Sequence, residues 1–222
     1  MTSTPAAPTP TRSAPGFYRW LILVLGLVIL VVALYRGSES SAPEEPSKLR
    51  RLSVIPPFAL TERSGRQITN RDLSGKIWVA DFVYTTCPGP CPLVTAEMAR
   101  VQAAVAGDRN VQLVTFTVDP ETDTPAVLAK YADLYHADPN KWWFLTGPEK
   151  PLYDLIQKGF LQAVVDNRGQ PAEPGQFTVT HSLYFALIDK DGTMRQVYDS
   201  TGGHERAELL RDIQVLEQEG GL

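Results

Sequence analysis

Cys87 and Cys91 are the two cysteines of this 222-residue chain. They stand together in the run Tyr84-Thr85-Thr86-Cys87-Pro88-Gly89-Pro90-Cys91-Pro92. A thiol pair at this spacing can be a disulfide, a redox couple or half of a soft-metal site. Two thiolates need a further ligand to hold a soft metal, and imidazole is the usual addition. The chain offers three histidines, His136, His181 and His204. His136 ends a helical stretch in Leu134-Tyr135-His136-Ala137-Asp138, where a positive imidazole suits the helix dipole. His204, after Gly202-Gly203 and before Glu205, reads as a helix-start residue. His181 stands at the mouth of the strand Ser182–Asp189, and taken alone reads as a satisfied polar residue more than as a ligand.

The prolines restrict how the thiols are held. Pro92 lacks a backbone donor and disfavours the helical region for the residue before it, which predicts Cys91 at the N-cap and Pro92 at the first helical position. Pro88 and Pro90 around Gly89 exclude one continuous helix through both thiols, so Cys87 belongs to a strand end or loop facing a helix N-terminus. The positive partial charge there favours thiolate, the form that attacks disulfides and binds metals.

The elements that position this loop are legible from periodicity. Lys76–Tyr84 (KIWVADFVY) is a mostly apolar strand of the kind buried on both faces. Pro92–Val105 places Leu93, Val94, Met98, Val101 and Val105 at helical spacing, and Val111–Val118 is a second central strand. Thr124 or Asp123 caps a helix with Pro125 in its first turn. Trp142–Leu145 is a short strand and Pro151–Phe160 a helix. Phe58–Thr61 and Gln67–Thr69 form a hairpin across Ser64-Gly65, and Ser182–Asp189 and Met194–Asp199 form another across Asp191-Gly192. Glu205–Gln218 closes the chain as a helix. Strands alternating with helices mean an α/β sheet with crossover connections.

Residues 1–16 are rich in Pro, Ala, Thr and Ser without apolar period, the composition of a disordered tail. Trp20–Tyr35 carries no charge, and with Phe17 and Tyr18 the segment 17–36 reaches the ~20 residues that span a bilayer as one transmembrane helix. Aromatic rings at both ends fit the interfaces, and Arg12 and Arg19 favour a cytoplasmic N-terminus. A cleaved signal peptide is the other reading, and in both the following domain is exported, where disulfides persist. Residues 37–51 read as a linker and 52–219 as the folded domain. A domain of that size needs no disulfide staple, and a three-residue loop gains little from one. The net charge of −4, without any Lys/Arg-rich run, excludes a nucleic-acid partner.

With these pieces in place, the chain resembles the Sco/SenC family. The resemblance rests on the strand ending in TTCPGPCP, on Val118-Asp119-Pro120-Glu121-Thr122-Asp123-Thr124-Pro125, on Trp142-Trp143-Phe144-Leu145-Thr146-Gly147, and on His181-Ser182 leading to Leu187-Ile188-Asp189-Lys190-Asp191-Gly192. It implies a thioredoxin-like domain, a central mixed sheet flanked by helices with a hairpin insertion, behind one membrane anchor. It further implies a copper chaperone with Cys87, Cys91 and His181 as ligands of Cu(I) or Cu(II). The implied partner is subunit II of cytochrome c oxidase, at its dinuclear copper site. The alternative is a thiol:disulfide oxidoreductase with Cys87 and Cys91 as its redox pair, reducing an apo copper site or another exported protein and served by a thioredoxin-like reductant. The chain departs from the family at Gly89 and Thr180, where many members carry acids, and so has less negative charge near the ligands. Asp119 and Asp123 match the family's acidic motif, and equally fit turn and capping roles.

Overall fold

The structure, a computed structural model, describes residues 17–37, 49–163, 165–166, 179–180, 183–201 and 203–219. The chain divides into two units, Met1–Ser47 and Lys48–Leu222. In the first, Phe17–Gly37 forms helix α1, and its side chains from Trp20 to Val31 are all exposed. A helix apolar on every side has no face suited to water. Among the described residues no helix is long and apolar enough to cross a membrane. For α1 the side chains described are those of 20–31, about 18 Å of helix against a hydrocarbon core of ~30 Å. The tail expected over 1–16 lies outside the described residues.

The second unit is built on an eight-stranded mixed sheet. In chain order the strands are β1 (Ser53–Val54), β2 (Ala59–Glu62), β3 (Gln67–Thr69), β4 (Ile77–Val83), β5 (Val111–Thr117), β6 (Trp142–Thr146), β7 (Val165–Asp166), β8 (Val179–Thr180), β9 (Tyr184–Ile188) and β10 (Thr193–Asp199). The helices are α2 (Cys91–Ala104), α3 (Pro125–Leu134), α4 (Glu149–Gly159) and α5 (Arg206–Glu219). The sheet order is β1-β10-β9-β4-β5-β6-β2-β3, and β7 and β8 pair separately. Strands β4, β5 and β6 are parallel, with α2 and α3 as their crossovers, and β9 and β2 flank them antiparallel. This is the mixed sheet with flanking helices that the sequence predicts, in the thioredoxin-like arrangement.

Every residue of β4, β5 and β6 is buried, as expected of strands covered on both faces. Side chains alternate across a strand, so Trp78 and Phe82 share one face of β4. There they meet Phe160, just past α4, with ring centroids 5.9 and 4.9 Å away, and Phe116 of β5 stacks on Phe82 at 5.7 Å. Asp81 points to the other face. Gly159 permits a close approach at the end of α4, because a Cβ there would meet Pro56 Cδ at 2.8 Å.

Leu49, Arg50 and Arg51, which the sequence places in the linker, make contacts with this unit. Leu49 is buried, and the buried Arg195 of β10 donates to the carbonyls of Leu49 at 2.6 Å and Arg50 at 2.9 Å. The same guanidinium pairs with Asp189 at 3.1 Å and with Glu219 at 2.9 Å.

Candidate metal and thiol site

The thiols lie where β4 runs out and α2 begins. Cys91 is the first residue of α2, and Pro90 is its N-cap at φ −76° and ψ −21°. This corrects the expected capping by one residue: Pro92 disfavours helical geometry at Cys91 without forbidding it. The first N–H groups of a helix have no intrahelical partner, so Pro92 in the second position forfeits no bond. Pro90 O accepts from the N–H groups of Leu93 at 2.9 Å and Val94 at 3.1 Å. On the Cys87 side a turn closes through Cys87 N–H to Tyr84 O at 3.2 Å.

Both cysteines are thiols outside any disulfide. Cys91 is fully buried and Cys87 is 8% exposed, beneath the exposed Pro88 and Gly89. Their environments push them in opposite directions. Burial raises Cys87, but hydrogen bonds received from the Cys91 thiol, the N–H groups of Cys91 and Gly89 and the Tyr84 hydroxyl outweigh it, leaving Cys87 below the usual thiol range. Cys91 is driven well above that range by burial, by the proton it donates to Cys87, and by the charges of Cys87 and Asp81. The arrangement is two thiols in hydrogen-bonding contact at a helix N-terminus, Cys87 the more readily ionised and Cys91 the donor. Both sulfurs are soft donors in reach of one another, a fit for Cu(I) that hard cations would not prefer.

The remaining residues singled out by sequence fall in different places. His136 is the left-handed residue that ends α3, at φ 52°. Its N–H reaches Asp133 O and the next N–H, of Ala137, reaches Ala132 O, both at 3.1 Å. That is a Schellman stop. His204 is exposed just before α5. His181 lies outside the described residues, which resume at Leu183. Among the described residues no three His, Cys, Asp or Glu side chains gather as a metal site. Asp119 makes a turn, its carbonyl accepting from the N–H groups of Thr122 at 3.2 Å and Asp123 at 2.9 Å. Thr124 caps α3, accepting from Val127 N–H at 3.4 Å, and Asp123 does not.

Sequence reasoning missed two residues that act on the thiols. Tyr84 donates its hydroxyl to the Cys87 sulfur, and nothing in the spacing distinguishes it from another core aromatic. Asp81 carried a signal, a lone acid inside the apolar run IWVADFV. It is fully buried on the face toward Cys91, and burial pushes its carboxyl up to about 7.

Comparisons with known proteins point one way. The chain is 28% identical over 193 residues to the SCO1 protein homolog of Bacillus subtilis, covering 86% of this chain and 93% of the relative. Its fold matches BsSco, a member of the Sco family of cytochrome c oxidase assembly proteins in which a disulfide switch has been identified. That match has a TM-score of 0.65 and 28% identity, covering 77% of this chain and 98% of the other. It also matches ScoI of Bradyrhizobium japonicum with copper bound, at TM-score 0.61 and 28% identity, covering 72% of this chain and 99% of that one. The SCO1/SenC family model matches residues 46–216, which include both cysteines and all eight strands of the main sheet, and the chain belongs to the SCO1/SenC family.

Proposed function

We propose that this chain is a membrane-anchored copper chaperone that assists assembly of the dinuclear copper site in subunit II of cytochrome c oxidase. The observation that carries the reading is the pair of adjacent thiols at the start of α2, one favoured as thiolate and the other held as its hydrogen-bond donor. Cys87 and Cys91 would hold Cu(I), and His181 would extend the site to Cu(II), since imidazole suits the harder ion. The copper-bound relative and the oxidase-assembly relative support this reading. The uncharged run Trp20–Tyr35 within α1 supports a single-pass anchor over 17–36, with the N-terminus cytoplasmic and the domain exported. Titrating the reduced full-length chain in detergent with Cu(I) against a chromophoric chelator should show one tight site per chain. It should be lost in Cys87→Ser and weakened in His181→Ala, and unchanged affinity in both variants refutes the reading.

The opposite shifts of the two thiols favour a second activity, reduction of a partner disulfide. Cys87 thiolate attacks one partner sulfur and forms a mixed disulfide, expelling the other partner sulfur as thiolate. Cys91 then loses its proton and attacks Cys87, releasing the second partner sulfur. The partner gains two electrons and the chain is left with a Cys87–Cys91 disulfide, which a thioredoxin-like reductant would reopen. Dithiol exchange undiminished in His181→Ala, in a chain that binds no copper, would make this the main activity.

A further inference from the structure

Asp123 lies on the loop between β5 and α3 and is fully buried. A buried carboxylate is costly unless its oxygens find donors. Those donors come from two neighbouring strand ends. Thr117 Oγ1, at the end of β5, donates at 2.5 Å. Thr85, in the segment leaving β4, donates its hydroxyl at 2.5 Å and its backbone N–H at 3.1 Å. Burial raises the Asp123 carboxyl above its usual range, and the bonds from Thr117 and Thr85 oppose that rise. Capping of α3 falls to Thr124, so these contacts are not spent on starting that helix. What Asp123 holds instead is Thr85, two residues before Cys87. Between Thr85 and Cys91 the loop has two prolines and a glycine; at its Cys87 end a turn closes from Cys87 N–H to Tyr84 O, and at its α2 end Pro90 O accepts from Leu93 and Val94 N–H. The carboxylate fixes the one end of that loop from which Cys87 is placed opposite the start of α2.

We propose that Asp123 is the positioning residue of the cysteine loop, clamping Thr85 so that Cys87 stays folded against Cys91 and the N-terminus of α2. This rests on the thiol pair being the working site. The consequence is specific to one thiol: Cys91 is carried by α2, whereas Cys87 depends on the loop. Outer partners of metal ligands typically change metal affinity by about 10–100-fold when removed, and Asp123 stands in that relation to Cys87 through Thr85.

The test uses the full-length chain in detergent, with Asp123→Ala, Thr85→Val, the double variant, and Thr124→Ala as a control that weakens α3 without touching Thr85. The first readout needs no metal: the ratio of Cys87 to Cys91 alkylation by iodoacetamide in the reduced protein, resolved by fragment mass. Measured at about pH 10, where a cysteine freed from the helix N-terminus still ionises, it should rise at least about fivefold in Asp123→Ala as Cys87 loses its cover, and stay within about twofold of wild type in Thr124→Ala. The second is Cu(I) affinity, expected to fall about 10–100-fold in Asp123→Ala and Thr85→Val. The double variant should be no worse than the more affected single one, because both remove one interaction. Equal labelling changes at both cysteines, additive losses, or a Thr124→Ala effect as large as that of Asp123→Ala would overturn the proposal. If no variant and not even the wild type binds Cu(I), the copper reading fails while the labelling ratio still decides this one. Partial recovery in Asp123→Asn, which keeps an acceptor oxygen, further supports positioning over bulk stability.

Discussion

Replacing Asp81 with Asn should make the protein's stability less dependent on pH, and the size of the effect follows from burial. Asp81 is fully buried in the middle of β4, and among the described residues neither carboxyl oxygen has a partner at good hydrogen-bonding geometry, the Thr115 hydroxyl being nearby. Burial raises its pKa from 3.8 to about 7, against the partial pull of the Thr115 hydroxyl and its own backbone. The unfolded chain ionises this group near its ordinary value, while the fold keeps it neutral until about 7. Between those limits the folded state binds more protons, so stability falls as pH rises. At 1.36 kcal/mol per pH unit the loss attributable to Asp81 reaches about 4 kcal/mol by neutral pH. Asn occupies the same volume and does not titrate. Urea unfolding at pH 4.5 to 8.5, followed by fluorescence of the buried Trp78, Trp142 and Trp143, should therefore show a variant-minus-wild-type difference that grows with pH and levels off above about 7. The constant cost of burying an amide shifts the whole curve without changing its slope. A difference that is flat across this range, or that grows toward acid pH, refutes the argument.

Three further outcomes are expected. In Cys91→Ala the remaining thiol loses a hydrogen-bond donor, so the midpoint of Cys87 alkylation against pH should move upward; a downward move contradicts the description of the pair. Phe160→Ala removes a fully buried ring from the cluster with Trp78, Phe82 and Phe116 and should cost about 3–5 kcal/mol in chemical unfolding. Gly159→Val places a branched side chain where even a Cβ would stand 2.8 Å from Pro56, so the midpoint of thermal unfolding should drop by several degrees, as expected of overpacking by about 1–3 kcal/mol.

The central strands, the cysteine helix and both hairpins were legible because each carries a strong local signal: a continuous apolar run, a 3.6-residue period, or a Gly turn between two β segments. Thr124 as cap followed from a side chain acting on its own backbone neighbourhood. What escaped was long-range. Asp123 sits beside that cap in sequence, yet its carboxylate serves Thr85, 38 residues away, and no local pattern records such a partner. The N-terminal limit of contacts was hidden for the same reason, since Leu49–Arg51 follow a polar stretch and are held from far along the chain, Leu49 and Arg50 by Arg195 and Arg51 by Thr193 and Asp189. The start of α2 was missed by one residue because a steric bias at the residue before proline is a preference that packing can override. The third ligand position was named from resemblance, not from any spacing to the sulfurs.

The Arg195 clasp also fixes how force would travel through the domain. It fastens the incoming chain at Leu49 and Arg50 and the outgoing helix at Glu219 to a single point on β10. Thr193 and Met194, at the start of that strand, lead through Ile188 to Trp78, near the beginning of β4. The cysteines follow the far end of β4, about 20 Å away at 3.3 Å per residue. A pull on the leader is therefore taken up at one pole of the sheet and spread into three strands and the last helix, while the thiols ride on the opposite pole. A load entering at Leu49 meets the Arg195 clasp before it meets the strand end that carries the thiols.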